Sequence, residues 1–472
     1  MAQGTTRSAD ADREESPALQ EPAGPNGDGS GSPAATPRAM GPAGGRRPPL
    51  RRTFSAFRYP HYRLLWASMA MAMVGMQMQM IARGLLAYEL AGNYSAVGAL
   101  AAAWGIPQFF LALPGGAIAD RMDKRLVLLF TQGAVFFQAL AVGLLIAFDA
   151  ISLQLLFAFG VVLGGTFSFN MPARQAYIPE LVPRDELMNA IALNNTAMNA
   201  TRLFSPVAAG IFIAAFGFAT TYLITAAMYL VAWGAVWLLP RGRGHLAGVA
   251  ERKGMFEEIR LGLRYVRGNR ALRTLMLMAL VPITVGMPFI TILPAFASGD
   301  LGLDSLGFGL LTAVNAVGAL AGSLLIAALN PSGRLAHRQA LLGMGWGVGL
   351  IVLGIGSLTF GVPGAFLAML VIGSCSMAYM ALNNGMIMTS SSQQYHGRIM
   401  SLYMLTFGIF PLVGLPLGIL GDAIGGYATF TLLGGAILSF MVLLLLLVPS
   451  DLIDRAASAG PGEAAEVEAP AG

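Results

Sequence analysis

The chain has 472 residues, of which 56% are hydrophobic and 11% are charged, against about 25% charged residues in ordinary soluble domains. Its 29 Lys and Arg residues outnumber its 24 Asp and Glu residues, but they are not gathered into the patch expected of a nucleic-acid-binding protein. The single cysteine, Cys375, lies in an apolar run and excludes a disulfide framework or a cysteine-based metal site. The composition therefore indicates a protein embedded in a lipid bilayer.

The two ends of the chain differ from the rest in composition. Residues 1–58 are rich in Ala, Gly, Pro and Ser and hold no run that could form the core of a signal peptide. Residues 449–472 have a similar composition and include several acidic residues. Both segments are predicted to be disordered tails.

Long apolar runs alternate with short polar interruptions between the two tails. A helix needs about 20 apolar residues to cross the hydrocarbon layer. Runs of that length predict twelve transmembrane helices, at roughly 64–89, 96–118, 126–148, 152–172, 190–214, 218–239, 273–297, 306–329, 338–359, 363–388, 400–421 and 428–448.

Basic residues are distributed unequally between the two sets of predicted loops. All but two of the 29 Lys and Arg residues lie in the tails or in every second loop, and the two others, Arg83 and Arg202, lie inside spans. Loops rich in Lys and Arg remain in the cytoplasm. This pattern predicts a multi-pass protein of the inner (plasma) membrane with both termini in the cytoplasm.

The sequence also contains an internal repeat. The segment "GFATTYLI" at 217–224 resembles "GYATFTLL" at 426–433, and the two segments enter the sixth and twelfth spans. Two six-helix halves, 59–240 and 273–448, are therefore predicted, joined by a cytoplasmic linker at 241–272. In the linker Phe256, Ile259, Leu263 and Val266 share one face of an amphipathic surface helix. The predicted fold is an all-α membrane protein with twelve transmembrane helices in two six-helix repeats.

Charged residues interrupt the apolar sequence between the second and third spans. The segment "GAIADRMDKRLVL" at 116–128 resembles the signature loop of the major facilitator superfamily, usually written G-x-L-a-D-R-x-G-R-k-x-x-l. Asp123 replaces the second Gly of that pattern. The resemblance implies a loop that holds the two halves together on the cytoplasmic side in the outward-facing state. Its residues would be Gly116, Asp120, Arg121, Lys124 and Arg125.

The segment between the fourth and fifth spans carries a second resemblance. "FNMPARQAYIPELVPRDELMNAIALNN" at 169–195 is similar to the corresponding segment of the enterobactin-exporter-like branch of the superfamily, which contains siderophore and drug efflux proteins. Asn170 stands where that branch has an acidic residue. The resemblance implies proton-coupled efflux by alternating access. The matching motif residues are Pro172, Arg174, Gln175, Pro179 and Glu180.

A few polar side chains inside the spans are candidates for contact with a substrate, because ionisable residues in a membrane are usually functional. Gln79 and Arg83 lie one turn apart in the first span. Asn195, Asn199 and Arg202 recur on one face of the fifth span. All five are predicted to line the substrate cavity, although hydrogen bonding between helices would also explain Arg202.

Only one carboxylate, Glu89, falls inside a predicted span, and Asp120 lies at a helix end. Both are candidates for proton coupling, which the family resemblance implies. A buried carboxylate would pair with a cationic drug, and none is predicted at mid-depth. The expected cargo is therefore a small amphipathic molecule, neutral or anionic.

The remaining expectations concern partners and alternative functions. The four histidines do not cluster, so no catalytic or metal site and no cofactor is predicted. The expected partners are a small-molecule substrate, protons and the lipid bilayer, with a monomeric chain and no nucleic acid. An importer or lipid flippase on the same fold, or a non-transporting receptor, remains an alternative, because the residues do not encode the direction of transport.

Overall fold

The computed structural model describes residues 54–241, 255–329, 334–391 and 395–447. The side chains of 112–121, 255–259, 329, 397, 401, 404, 405 and 407 lie outside that description. In the described ranges all regular structure is helical. This confirms the all-α prediction.

Thirteen helices, numbered here in chain order, make up the described fold. They are α1 (Pro60–Ala91), α2 (Tyr94–Arg121), α3 (Lys124–Ala147), α4 (Leu153–Leu181), α5 and α6 (Leu187–Trp237, divided at Gly217), α7 (Met255–Gly268), α8 (Arg270–Asp300), α9 (Ser305–Leu329), α10 and α11 (Leu335–Thr389, divided at Gly361), α12 (396–424) and α13 (Gly426–Leu447).

Twelve of these helices correspond to the predicted spans. Nine continuous stretches of the described chain are long and apolar enough to cross a membrane. Two of them, Leu187–Trp237 and Leu335–Thr389, each contain two spans that meet at a glycine with non-helical backbone angles. The eleventh span, α12, is not among the nine and is represented by the shorter apolar stretch Phe410–Ile424, which begins with a 3₁₀ turn at Phe410–Val413.

The turn between the fifth and sixth spans has the same construction in both halves. Gly217 divides α5 from α6 with φ 77° and ψ 176°, and Gly425 precedes α13 with φ 81° and ψ 161°. Only glycine adopts this region of backbone space readily. Gly217 is the first residue of the repeated sequence segment and Gly425 directly precedes its second copy, so the turns occupy nearly equivalent positions in the two halves.

Two predicted boundaries differ from the structure. The fourth span was expected to end at 172, but α4 continues through Pro172 and Pro179 to Leu181. Arg174 is therefore not a loop residue, and its side chain is only 1% exposed inside the helix bundle. The predicted tail at 1–58 ends earlier than expected, because residues Ser55–Arg58 form a 3₁₀ turn.

That turn is held against the start of α5 by polar contacts. The Ser55 hydroxyl donates to the Glu186 carboxylate, and the Ala56 amide donates to Asn189 Oδ1 at 3.1 Å. The remainder of that tail and the acidic tail at 449–472 lie outside the described residues.

The linker helix α7 packs on the second half of the chain. The Tyr265 ring stacks on the Tyr395 ring with centroids 4.1 Å apart, and Val266 is buried. Leu263 is exposed, so the apolar face is narrower than its sequence pattern predicts. Phe256 and Ile259 have side chains outside the described residues.

Glycines allow neighbouring helices to approach closely within each half. A Cβ atom on Gly164 of α4 would overlap the Trp104 carbonyl group of α2, with the carbonyl carbon at 2.8 Å. The next residue, Gly165, would meet only ordinary van der Waals contact, at 3.6 Å from Leu111. Small residues at such crossings are typical of helix packing in membranes.

This difference between adjacent glycines gives a test of the packing. We expect Gly164→Ala to destabilise the protein by about 1–3 kcal/mol, because the added methyl group forces α2 and α4 apart. Gly165→Ala is the matched control and should leave stability unchanged or raise it, since alanine favours helix. Thermal unfolding of the purified protein in detergent measures both, and equal midpoints for the two variants would contradict the described α2–α4 contact.

Candidate functional site

The candidate site is the interface between the first half, α1–α6, and the second half, α8–α13. Its two ends differ in charge, and we name them accordingly. The basic end carries the start of α1 and the loops after α2, α4 and α6. The acidic end carries the loops after α1, α3 and α8, with Glu89, Asp149, Asp300, Asp304 and Asp422 close by.

Polar contacts join the two halves at the acidic end. Asp422, in the last turn of α12, accepts hydrogen bonds from the backbone amides of Tyr94 at 2.6 Å and Ser95 at 3.0 Å. It therefore caps the first turn of α2 from the opposite half, an arrangement that the partial positive charge of a helix N-terminus favours. The Tyr94 hydroxyl donates to the Asp300 carboxylate at the end of α8. Tyr427 donates to the Asp300 backbone carbonyl at 3.0 Å.

Close backbone contacts extend this junction towards the middle of the molecule. A Cβ atom on Gly98 of α2 would overlap the Gly414 carbonyl group of α12. A Cβ atom on Gly309 of α9 would lie 2.7 Å from the carbonyl oxygen of Pro206 in α5, closer than such atoms come in proteins. The halves thus meet at the acidic end along three helix pairs: α2 with α12, α5 with α9, and α1 with α8, where a Cβ atom on Gly84 would lie 2.7 Å from Pro294.

The same two surfaces are separated at the basic end. On α5 the face that contains Pro206, Gly210 and Ile213 is buried, and continuing that face towards the basic end leads to Arg202, Asn199 and Asn195, which are all exposed. The facing helix α9 changes in the same direction: Gly309 is buried against α5, whereas Leu320 and Leu324, further along that side of the helix, are 47% and 60% exposed. The space between the halves therefore opens at the basic end.

The predicted motif loop lies at the basic end of the first half. Lys124 is buried and forms a salt bridge with Glu180 of α4, with Nζ and Oε1 2.8 Å apart. Arg125 Nη2 donates to the Trp237 carbonyl at the end of α6, at 2.6 Å. Gly116, Asp120 and Arg121 lie in the last turns of α2, and their side chains are outside the described residues. The described part of the loop thus joins α3 to α4 and α6.

Asp123, the residue that departs from the family pattern, has a local role. It is the N-cap of α3, and its carboxylate accepts a hydrogen bond from the Arg125 amide at 2.9 Å. An N-cap carboxylate satisfies one of the unpaired amides in the first turn and is favourable near the helix N-terminus. The glycine of the family pattern would lack this side-chain acceptor.

The α4 motif residues are divided between the interior and the surface. Arg174 is buried, and its Nη1 donates to the Leu65 carbonyl of α1 at 3.2 Å. Gln175 and Pro179 are exposed, and Pro172 is half-buried. Asn170, one turn before Arg174, donates to Thr131 of α3 at 2.7 Å. Asn170 thus makes a neutral hydrogen bond where an acidic residue was expected from the resemblance.

Asn170 also borders a small internal cavity within the first half. The cavity has a volume of about 30 Å³, which is room for about two water molecules. It is too small for a drug-sized cargo, so it is distinct from the space between the halves. Its lining consists of Ala72, Met73, Met76, Trp104, Thr131, Gln132, Val135, Leu163, Thr166, Phe167, Asn170 and Tyr229.

The predicted cavity and coupling residues of α1 have different environments. Gln79 is only 2% exposed and Arg83 is half-buried, and both carry buried nitrogen atoms without a hydrogen-bond partner. Glu89 is exposed in the last turn of α1. No group of His, Cys, Asp and Glu in the described ranges is arranged to bind a metal ion.

Sequence reasoning missed the roles of Asp300 and Asp422 at the junction of the halves. Asp422 lies 328 residues from Tyr94 along the chain, so no local pattern connects them. The available signal was the position of each carboxylate at the end of a long apolar helix on a side of the membrane that lacks basic residues.

Comparison with known proteins assigns the family. Residues 51–461 match the family model described as transmembrane secretion effector. The chain belongs to this family of the major facilitator superfamily. The family and the relatives found are membrane transporters of small molecules and not enzymes.

Three curated relatives illustrate the similarity. The staphyloferrin A transporter of Staphylococcus aureus (strain NCTC 8325 / PS 47) is 23% identical over 70% of this chain and 81% of its own length. The multidrug efflux pump Tap of Mycobacterium tuberculosis is 26% identical, covering 79% and 90%. The enterobactin exporter EntS of Salmonella typhi is 30% identical over a shorter region, covering 29% and 33%.

Solved structures agree on the fold. A bacterial homologue of the human lysosomal transporter Spinster superimposes with a TM-score of 0.62 at 15% identity, covering 88% of this chain and 98% of that chain. The major facilitator fold with two six-helix repeats is thereby confirmed.

The N-cap of α3 gives one test of the motif loop. We expect Asp123→Ala to destabilise the protein by about 1 kcal/mol, because the first turn of α3 loses its acceptor. Asp123→Asn should retain most of the stability, and Asp123→Gly should cost only a few tenths of a kcal/mol. Thermal unfolding of the purified variants gives the order, and an alanine variant as stable as the parent would exclude the capping role.

The junction at the acidic end gives a second test. Asp422→Ala removes both acceptors for the α2 amides, so we expect the halves to separate there in a larger fraction of molecules. Spin labels on Leu90 and Ile424, which are exposed in the last turns of α1 and α12, report that separation by pulsed electron resonance in a Cys375→Ser background.

The matched control for this measurement is Asp149→Asn, which removes an exposed charge from the loop after α3. It should leave the distance distribution unchanged. A distribution in Asp422→Ala that equals that of the parent would show that the cap does not hold the junction closed.

Proposed function

We propose that this chain is a proton-coupled exporter of a small amphipathic molecule, siderophore-like or drug-like and neutral or anionic, which works by alternating access. The observation that carries the proposal is the asymmetric interface, joined at the acidic end and open at the basic end. A cavity that opens on one side only is what a transporter needs in order to load cargo before the opposite side opens.

The charge asymmetry supports an orientation for this cavity. Loops rich in Lys and Arg remain in the cytoplasm, so the open basic end would face the cytoplasm and the joined acidic end the exterior. The proposed topology is a monomer in the plasma membrane with both termini cytoplasmic, divided into the halves 59–240 and 273–448. In this orientation the structure corresponds to the state that accepts cargo from inside.

The polar lining of the open space supports a role in cargo binding. Asn195, Asn199 and Arg202 present amide and guanidinium groups on α5, directly beyond the contact of Pro206 with α9. Amphipathic cargo could then contact apolar side chains of α9, such as Leu320 and Leu324. The names of the relatives, a staphyloferrin A transporter and a multidrug efflux pump, are consistent with such a cargo.

The positions of the carboxylates support a neutral or anionic cargo. Each described carboxylate lies in a loop or in the last turn of a helix, and Asp120 lies in the last turn of α2. A permanently cationic cargo at mid-depth would therefore lack a charge partner in the described part of the chain, which is costly in a medium of low dielectric constant.

Proton coupling requires groups that titrate and that sense the state of the interface. Glu89 and Asp120 are the candidates from the sequence. Asp300 and Asp422 join them, because both accept hydrogen bonds from the opposite half. Protonation of either carboxylate would weaken its hydrogen bonds and favour opening at the acidic end.

Transport into everted membrane vesicles tests the proposal. With an acidic lumen we expect accumulation of a labelled catechol siderophore, loss of that accumulation with a protonophore, and little accumulation of a quaternary ammonium dye. If Glu89 couples protons, Glu89→Gln loses pH-driven accumulation but keeps downhill exchange.

The outcomes that contradict the proposal are distinct. Movement of the cation alone would overturn the cargo class, and uptake only by right-side-out vesicles would indicate an importer. Accumulation that is unchanged in Glu89→Gln would exclude Glu89 and leave Asp120, Asp300 and Asp422 as coupling candidates. No movement of either compound by the parent protein would count against the whole proposal.

A further inference from the structure

Two side chains on the inward face of α1 hold hydrogen-bond donors that are not used. Gln79 Nε2 and Arg83 Nη1 are buried and have no acceptor. Residues four apart in a helix lie on the same face, one turn above the other. The two donors therefore point from the same side of α1 into the first half.

A third unused polar atom lies at the same depth on the neighbouring helix α5. The two helices run in the same direction, since Tyr62 donates to the Ala190 carbonyl at 2.8 Å and Trp66 donates to the Leu193 carbonyl at 3.2 Å. Gln79 lies 13 residues after Trp66 and Pro206 lies 13 residues after Leu193, so Gln79 and Pro206 are at the same depth. Ser205 directly precedes Pro206. Ser205 is 1% exposed, and its hydroxyl has no partner.

Among the residues that the structure describes, these donors have no negative partner. Glu89, the carboxylate nearest to Arg83 along α1, lies about 120° around the helix and is exposed. Tyr222 of α6 is close enough to Arg83 for electrostatic interaction, but it is neutral when protonated. A buried guanidinium and a buried amide without acceptors cost free energy, and an anionic oxygen group placed between them would recover it.

Arg83 is not fully enclosed. Its side chain keeps part of its surface accessible, although Nη1 is buried. A ligand can therefore reach the guanidinium. Arg174, by contrast, is 1% exposed and donates to Leu65, so it is enclosed within the first half.

We propose that Gln79, Arg83 and Ser205 form a recognition site for an anionic oxygen group, a carboxylate or an ionised phenol, on the transported molecule. The inference rests on the proposed function and narrows its cargo from neutral or anionic to anionic. The guanidinium supplies charge and the paired N–H geometry that suits two oxygen atoms. The amide and the hydroxyl supply further donors to the same group.

A matched pair of ligands tests the site without the need to know the cargo. 2-Naphthoate and 2-naphthamide share an aromatic body and differ in the charge of one group. With the purified full-length protein in nanodiscs at neutral pH, we expect naphthoate to bind at least about tenfold more tightly than naphthamide. Arg83→Gln should reduce this ratio to about one by weakening naphthoate binding alone.

The other variants separate charge from geometry. Arg83→Lys keeps the charge but not the paired geometry, so it should retain part of the preference. Gln79→Leu and Ser205→Ala should each lower naphthoate affinity several-fold and leave naphthamide affinity unchanged. Arg184→Gln, at an exposed loop position, and Gln138→Leu, at another buried glutamine, are the matched controls and should keep the parent ratio.

Two results would overturn the site: equal affinity of the parent for both ligands, or a parent-like ratio in Arg83→Gln. If Arg83→Gln does not fold, the ratios of Gln79→Leu and Ser205→Ala decide, and parent-like values in both would also overturn it. Vesicle transport distinguishes failure of this site from failure of the proposed export function. Export without any preference for anionic ligands would contradict the anion site alone, whereas absence of transport would contradict the export function itself.

Discussion

The direct contact of backbone with backbone between opposite halves is the interaction on which the observed conformation depends. Dispersion forces act over a few tenths of a nanometre, so helices in a membrane, where apolar burial gives no net gain over lipid, associate strongly only if their backbones approach closely. Gly98 and Gly309 provide that approach on the first and second half respectively. The α5–α9 contact lies nearer the acidic end and leaves those helices free to separate at the basic end, whereas the α2–α12 contact continues to Gly105 and Pro411 near mid-depth.

In the proposed transport cycle, the polar cap at the acidic end would allow this contact to open and close. Asp422 satisfies two amides of α2 from the opposite half, so opening there would leave those amides and the carboxylate to be satisfied by water. Close packing alone would favour one closed state. Water can replace the hydrogen bonds of Asp422, and a proton can neutralise its carboxylate. Both effects would bring the states that are closed and open at the acidic end closer in free energy.

The first half is braced at the other end by contacts that do not cross the interface. Lys124 with Glu180, and Arg125 with the Trp237 carbonyl, connect α3 to α4 and α6. These links keep the first half together while its inner face is exposed to the open space. In the proposed transport cycle, motion between states would be a rotation of nearly rigid halves and not a rearrangement within a half.

Much of the architecture could be predicted because the bilayer imposes it. The length of the apolar runs and the placement of Lys and Arg located the spans, and the repeated segment at Gly217 indicated the two halves. The pairing of the junction residues could not be predicted, because Tyr94 and Asp422 are 328 residues apart; the position of Asp422 at a helix end marks a carboxylate but does not identify its partner. The length of the apolar run places Arg174 after the fourth span, whereas in the structure α4 continues through Pro172 and Pro179 to Leu181.

The single-residue turns have a consequence for the synthesis of the protein. Gly217 alone separates α5 from α6, and Gly425 alone separates α12 from α13, so no polar loop has to pass through the bilayer when these helices insert. Each pair can enter the membrane as one preformed hairpin, and its turn exposes almost no backbone on the far side. The acidic face therefore offers proteases and antibodies little extended chain at these two corners.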